Sequence, residues 1–277
     1  MARFTKIIVG AMGVALALAG CSSTSDNNNS PSSGGSPTAT YTGPDLNLIK
    51  AGTLTICSDV PYKPFEYQEA GTPTGFAGFD IDLMTEIANN LGLKLVVLPT
   101  DFDALQSGVA LAAKQCDLAA SAVTITEARK ANIDFSDPYY DSLQSLLVLA
   151  DSGINSLEDM AGKTIGVQTQ TTGENYTRAH APADAKIVSF PTDGEMWLAL
   201  QAGTVQALLQ DFPINNQHVK DDSRYKIVAE YPTDEQYGFA FSKGGNPALL
   251  AEVNKQLKTM RENGMYDTLF KKYFSLS

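Results

Sequence analysis

The chain has 277 residues, with 20 Lys+Arg against 31 Asp+Glu, a formal charge of −11, and 43% hydrophobic residues. That much apolar material excludes wholesale disorder, and the length fits one large domain or two of roughly 100–150 residues. The acidic balance argues against binding nucleic acid, and two histidines with three cysteines leave little for a metal site.

Arg3 and Lys6 form a basic start, and Ile7 to Ala19 is an apolar run too short for a membrane span, which takes about 20 residues. Leu18-Ala19-Gly20-Cys21 resembles the bacterial lipobox. Residues 1–20 are therefore expected to be a lipoprotein signal peptide, with Cys21 lipidated as the new N-terminus; an ordinary secretory signal beside an unrelated cysteine is the alternative. Removing them leaves 18 basic and 31 acidic residues, a charge of −13. Residues 22–44 are rich in Ser, Asn, Gly and Pro and cannot bury a core, so 21–45 reads as the anchor and a flexible tether.

Leu54-Thr55-Ile56-Cys57 is a short strand-like run, and Pro61, Pro64, Gly71 and Pro73 punctuate the stretch after it. Ile81, Met84, Ile87, Ala88 and Leu91 have helical spacing, closed by Gly92. Leu93 to Leu98 reads as a strand, Asp103 to Lys114 as a second amphipathic helix, and Asp117 to Val123 as a buried strand. Thr164 to Val167, Ile187 to Phe190 and Val205 to Leu209 are further strands between helical patterns. This alternation predicts an α/β protein with mostly parallel sheets covered by helices.

Ligands in such sheets sit beyond the carboxyl ends of strands, near helix N-termini. Three strand ends carry notable chemistry. In Ser121 to Arg129, Thr126 is a candidate N-cap, and Arg129 lies one turn in, with a fork that can hold an anion. In Gln168 to Glu174, Thr171 and Glu174 have capping-box spacing, and Gly173 permits close backbone approach. Gln210-Asp211 places a carboxylate where it can take an ammonium. Singly, each reads as readily as a cap or a surface side chain. Together they offer two anion sites and one cation site, the complement of a zwitterion.

Cys57-Ser58-Asp59-Val60-Pro61-Tyr62-Lys63-Pro64-Phe65-Glu66 resembles the first-strand motif of polar amino-acid-binding proteins of ATP-binding-cassette importers. Gly78-Phe79-Asp80-Ile81-Asp82-Leu83, Thr124-Ile125-Thr126-Glu127-Ala128-Arg129 and Asp134 to Tyr140 continue the series. Gly166-Val167-Gln168, Gln236 to Phe241 and Glu262 to Tyr266 complete it. The co-linear set, from about 52 to 274, is similar to the bacterial extracellular solute-binding proteins of family 3.

The resemblance implies a two-lobed type II periplasmic-binding-protein fold joined by two hinge strands, closing on its ligand. Lobe 1 would be 46–144 plus 239–277 and lobe 2 145–238, with crossings near Gln144–Leu147 and Tyr237–Ala240. Arg129 would bind the ligand carboxylate, helped by Thr124 and, from the opposite lobe, by Thr172. Asp211 would take the α-ammonium, Tyr62 would pack on the ligand side chain, and Ser121 would supply an acceptor. Asp59, Tyr62, Gln168 and Gln210 are the candidates for the side-chain pocket, suiting a polar or basic amino acid. Gln170 stands where the family often has glycine and Ala122 where it often has serine or glycine, Phe76-Ala77 adds a pair before Gly78, and Glu66 is read as solvent-facing.

Cys57 and Cys116 fall on strands expected to neighbour in lobe 1, in a compartment that permits a disulfide. Their offset within those strands leaves open whether they bond or stay as two buried thiols. Trp197, Tyr266, Leu269, Phe270 and Tyr273 read as core. The resulting expectation is a monomeric, extracytoplasmic, lipid-anchored binder without catalytic residues, cofactor or metal. Its partners would be an amino acid and the permease and ATPase subunits of an importer. A sensing module for a membrane receptor and a cleft dehydratase of the same fold are the alternatives.

Overall fold

The computed structural model describes Tyr41, Gly43 and residues 45–275. The expected signal peptide, the lipidated Cys21 and nearly all of the tether lie outside the described residues.

In chain order the first elements are β1 (Thr53–Ser58), β2 (Tyr67–Gln68), β3 (Phe76–Ala77), α1 (Phe79–Asn90), β4 (Lys94–Pro99), α2 (Phe102–Gln106), α3 (Val109–Ala112), β5 (Leu118–Ala119), α4 (Glu127–Lys130) and β6 (Ile133–Phe135). There follow β7 (Tyr140–Leu149), β8 (Thr164–Gln168), α5 (Thr172–His180), β9 (Lys186–Phe190), α6 (Asp193–Gln201), β10 (Ala207–Asp211), α7 (Phe212–Asp221) and β11 (Tyr225–Tyr237). The chain closes with β12 (Ala240–Ser242), α8 (Pro247–Glu262) and α9 (Met265–Phe274).

Two five-stranded sheets result, ordered β4-β1-β5-β12-β6 and β11-β7-β10-β8-β9, each the floor of a lobe. Strands joined through helices pair parallel: β1 with β4 and β5, and β8 with β9 and β10. Every antiparallel pairing within the two sheets involves β7 or β12, the strands entered directly after the chain crosses between lobes. A strand arriving without a crossover helix runs against its neighbours, so each sheet is mixed. β7 and β11 also form the ribbon between lobes, Tyr237 pairing with Tyr140 and Glu235 with Ser142.

Alternation along the strands builds a core on both faces of each sheet. In β1, Leu54 and Ile56 face the cluster under α1, α8 and α9, while Cys57 faces the one under α2 and α3. In β7, Leu146 and Val148 face one side and Leu147 the other. Cys57 and Cys116 form a disulfide with Cα atoms 5.6 Å apart. The register pairs Cys57 with Ala119, three residues past Cys116, but Cys116 lies outside β5, so strand register does not hold the two apart.

Two helical expectations need correction. The helix expected over Asp103 to Lys114 is broken into α2 and α3, because Gly108 adopts a left-handed φ of +81° and starts a new turn. In α9 Leu269 is buried, but Phe270 is 38% exposed and lies on the rim of the aromatic cluster around Phe79 rather than in the core.

Candidate functional site

The cleft lies where the carboxyl ends of β1, β5, β8 and β10 converge. Thr126 caps α4 by accepting from Arg129 N at 3.2 Å, which fixes the start of the turn that carries Arg129. The Arg129 guanidinium donates to Thr124 O at 2.8 Å and, across the cleft, to Gln170 O at 3.1 Å. It lies 5.1 Å from the centre of the Phe102 ring. Burial is the first cause that lowers its pKa, to about 10, against Asp211 and Glu235, which raise it. It therefore stays charged at neutral pH, a buried cation whose recorded bonds go to carbonyls and which is suited to an anionic ligand group.

The opposite wall is the β8–α5 turn. Thr171 caps α5 by accepting from Glu174 N at 3.0 Å, and Glu174 Oε2 accepts from Gln170 N at 2.7 Å. Gln170 has a φ of +61° and Ala122, in the first-lobe wall of the cleft, +45°. Both positions thus keep a left-handed backbone despite their Cβ atoms. Gly173 has no such freedom to change: an added Cβ would lie 2.9 Å from Gln144 Oε1 and 3.2 Å from Leu209 O. Its absence lets the first turn of α5, with Thr172, press against the sheet.

Asp211 ends β10. Its carboxylate accepts from Tyr62 OH at 3.3 Å, from Gln144 Nε2 and from Tyr237 OH. Burial, then Glu235, pushes its pKa up to about 7. At the other end of the cleft Asp59 Oδ2 accepts from Gln168 Nε2 at 2.6 Å. Burial first, and the acids Asp101 and Asp193 further, push Asp59 up to about 7, against the Gln168 bond that lowers it. One acid thus sits beside Tyr62 and another at the far end, with Arg129 on the wall between lobes.

Of the nine residues proposed from sequence, Asp59, Tyr62, Ser121, Thr124, Arg129, Gln168, Thr172 and Asp211 line this one cavity. Gln210 does not. Neighbours on a strand point to opposite faces, so with Asp211 in the cleft the Gln210 amide turns to Asp193 and Asn215, at 2.9 and 3.0 Å. Phe76 and Ala77 are also away from the cleft, paired with Tyr67 and Gln68 in a small hairpin. Glu66, expected to face solvent, is wholly buried and accepts from Ser121 Oγ at 2.6 Å.

Two side chains escaped the sequence reading. Phe102 lines the cavity from the start of α2, a position just past the end of β4 that the strand-end rule covers. Glu235 on β11 accepts from Thr124 Oγ1 at 3.0 Å and Thr172 Oγ1 at 2.8 Å, one threonine from each wall, and from Gln144 Nε2 at 2.9 Å. It stands in a stretch of alternating charges and polar residues that marks no site. Among the described residues no group of three or more His, Cys, Asp or Glu is arranged to hold a metal ion.

The family of bacterial extracellular solute-binding proteins, family 3, matches residues 54–276, which include every element of the cleft. The chain belongs to that family. Among its relatives, the glutamine-binding protein GlnH of an ABC transporter of Bacillus subtilis is 35% identical over 71% of this chain and 72% of its own. The arginine-binding extracellular protein ArtP of the same organism is 31% identical over 80% and 86%. An ancestral arginine-binding protein, solved with glutamine bound, superposes with a TM-score of 0.74 at 36% identity, covering 81% of this chain and 99% of that one. These likenesses identify a type II periplasmic-binding-protein fold and an amino-acid-binding role in ABC transport. Among the described residues no helix is long and apolar enough to cross a membrane.

Proposed function

We propose that this protein is the extracytoplasmic substrate-binding component of an amino-acid importer, held to the membrane by lipid on Cys21. It binds one L-amino acid reversibly between lobe 1 (46–144 plus 239–277) and lobe 2 (145–238) and delivers it to a permease driven by ATPase subunits. The observation that carries this reading is the convergence of Arg129 from one lobe and Asp211 from the other on a single narrow cavity. The ligand carboxylate meets Arg129, Thr124 and Thr172; its α-ammonium meets Asp211, and its side chain packs on Tyr62. Only the closed arrangement satisfies both ends, so binding and closure are linked.

Asp59 supports a basic side chain. It is a buried acid with only an amide as side-chain partner and two further acids in its surroundings, a setting that a guanidinium or ammonium would neutralise. A neutral glutamine is the second reading, favoured by the Gln168 amide at the same end. The relatives named above are transport binding proteins, and His218 is engaged with Asp193 at 2.9 Å, which favours binding without turnover over a dehydratase. A thermal-shift panel of the common amino acids on protein stripped of carried-over ligand tests the proposal. A shift with arginine, lysine or glutamine is expected; no shift with any amino acid sinks it.

A further inference from the structure

Two acids that the binding reading does not use lie behind the Ser121–Ala122 wall of the cleft. Glu66 and Asp80 are both at 0% exposure. Gly78 brings together the two segments that carry them. It adopts a φ of +131°, and an added Cβ there would lie 2.0 Å from Phe65 O. The first turn of α1 is thereby pressed onto the segment carrying Glu66, with Asp80 N donating to Phe65 O at 3.0 Å.

One oxygen of each carboxyl is engaged with the wall. Ser121 Oγ donates to Glu66 Oε1 at 2.6 Å while accepting from Asp59 N at 2.9 Å. Asp80 Oδ2 accepts from Ala122 N at 2.9 Å and from Tyr139 OH at 2.7 Å. The remaining oxygens, Glu66 Oε2 and Asp80 Oδ1, are buried without a partner. The titratable groups facing the pair are Asp59, Tyr62 and Tyr139, all acids or phenols. Burial first, then the repulsion of Asp80, holds the Glu66 carboxyl well above the usual carboxylate range; burial pushes Asp80 up to about 7. Two bare carboxylates without a cation are far costlier in such a place than a carboxyl beside a carboxylate.

We propose that Glu66 and Asp80 share one proton between their two unpartnered oxygens and act as positioning residues, clamping the Ser121–Ala122 turn that forms the first-lobe wall of the cleft. The turn needs holding, because Ala122 sits at a φ of +45°, which a residue with a Cβ resists. The pair grips it at consecutive residues, through the Ser121 hydroxyl and the Ala122 amide. Neither acid touches the ligand; the effect on affinity, which rests on the proposed amino-acid binding, passes through the wall.

The shared proton is read on ligand-free protein at pH about 8, where Asp59 and Asp211 are mostly ionised. An infrared carbonyl band of a protonated carboxylic acid is expected there, and it should vanish in Glu66→Gln. Amide hydrogen exchange of residues 120–124 reads the clamp. Glu66→Ala should speed it about tenfold, while Glu66→Gln, whose amide donates where the proton sat, should keep the wild-type rate. Should Glu66→Ala fail to fold, Ser121→Ala cuts the turn from an intact pair; it should keep the band and still speed exchange. With L-arginine as probe, Glu66→Ala should weaken binding about tenfold and Glu66→Gln should restore it. No band at this pH, or wild-type exchange in Glu66→Ala and Ser121→Ala, overturns the proposal. The first two readouts need no ligand, so a protein that binds no amino acid would end the functional reading and still decide the clamp.

Discussion

Arg129 Nη2 donates to the backbone carbonyl of Gln170 at 3.1 Å, a bond that runs from α4 of the first lobe to the β8–α5 turn of the second. The same guanidinium is held from below by Thr124 O at 2.8 Å. It therefore ties the lobes together, and in the proposed function it also serves as the carboxylate fork. Arg129→Ala is expected to abolish the amino-acid thermal shift. Arg129→Lys, which keeps the charge and loses the planar fork, should weaken binding by about a hundredfold. Wild-type affinity in the lysine variant, measured by titration calorimetry, would remove the fork from the account.

In the proposed function Asp59 is the residue that separates the two ligand classes. Asp59→Asn keeps the shape and removes the charge, so arginine and lysine should bind more than about tenfold more weakly while glutamine changes little. Equal losses for all three would show that Asp59 does not select a cationic side chain.

The carboxyls of Asp59 and Asp211, both raised to about 7 by burial first, set a pH dependence. A raised folded-state value means that the folded, ligand-free protein keeps protons the unfolded chain has lost. Its stability is fullest below the unfolded value near ~4 and declines as pH rises through about 7. Amino-acid binding runs the other way. An ammonium prefers ionised Asp211, so affinity should increase as pH climbs from about 5 to about 7, with proton release on binding. Calorimetry in buffers of different ionisation heat reads both. A flat affinity over that window, with no proton release, would exclude Asp211 as the ammonium partner.

Cys57 and Cys116 close a loop with a sequence separation of 59. Reduction, or Cys57→Ser with Cys116→Ser, should cost about 4 kcal/mol on the loop-entropy account, lowering the thermal midpoint by roughly 10 °C. The bond joins buried elements of one lobe, so ligand affinity should hold while stability falls. An unchanged midpoint under reductant would mean that the thiols are not paired in solution.

Gly78 admits no other residue. Its φ of +131° is hostile to any Cβ, and an added one would lie 2.0 Å from Phe65 O. Gly78→Ala should destabilise the fold by about 3 kcal/mol in chemical denaturation. A loss under about 1 kcal/mol would mean that α1 can shift away from the Phe65 segment at little cost.

The linear sequence by itself determined the α/β alternation, the two helix caps at Thr126 and Thr171, and most of the cleft. These depend on local spacing and on motifs whose residues are neighbours in the chain. The sequence also carried Asp211 to a strand end and Arg129 to the helical turn that follows one, where backbone geometry leaves side chains facing a cleft. Direction within the cleft was another matter. Gln210 and Asp211 look equivalent on paper, and only the alternation of β10 against β7 turns one inward and the other toward Asn215. Glu66 looked like a surface acid because its burial depends on α1 folding back over it through Gly78. Glu235 was silent, since its two threonine donors, Thr124 and Thr172, are brought to it by elements remote in the chain. The direct crossings into β7 and β12 likewise turned two parallel sheets into mixed ones. What periodicity and motif encode is which residues reach a strand end or a helix start. What they face there is set by contacts between distant segments, and those exist only once the chain has folded.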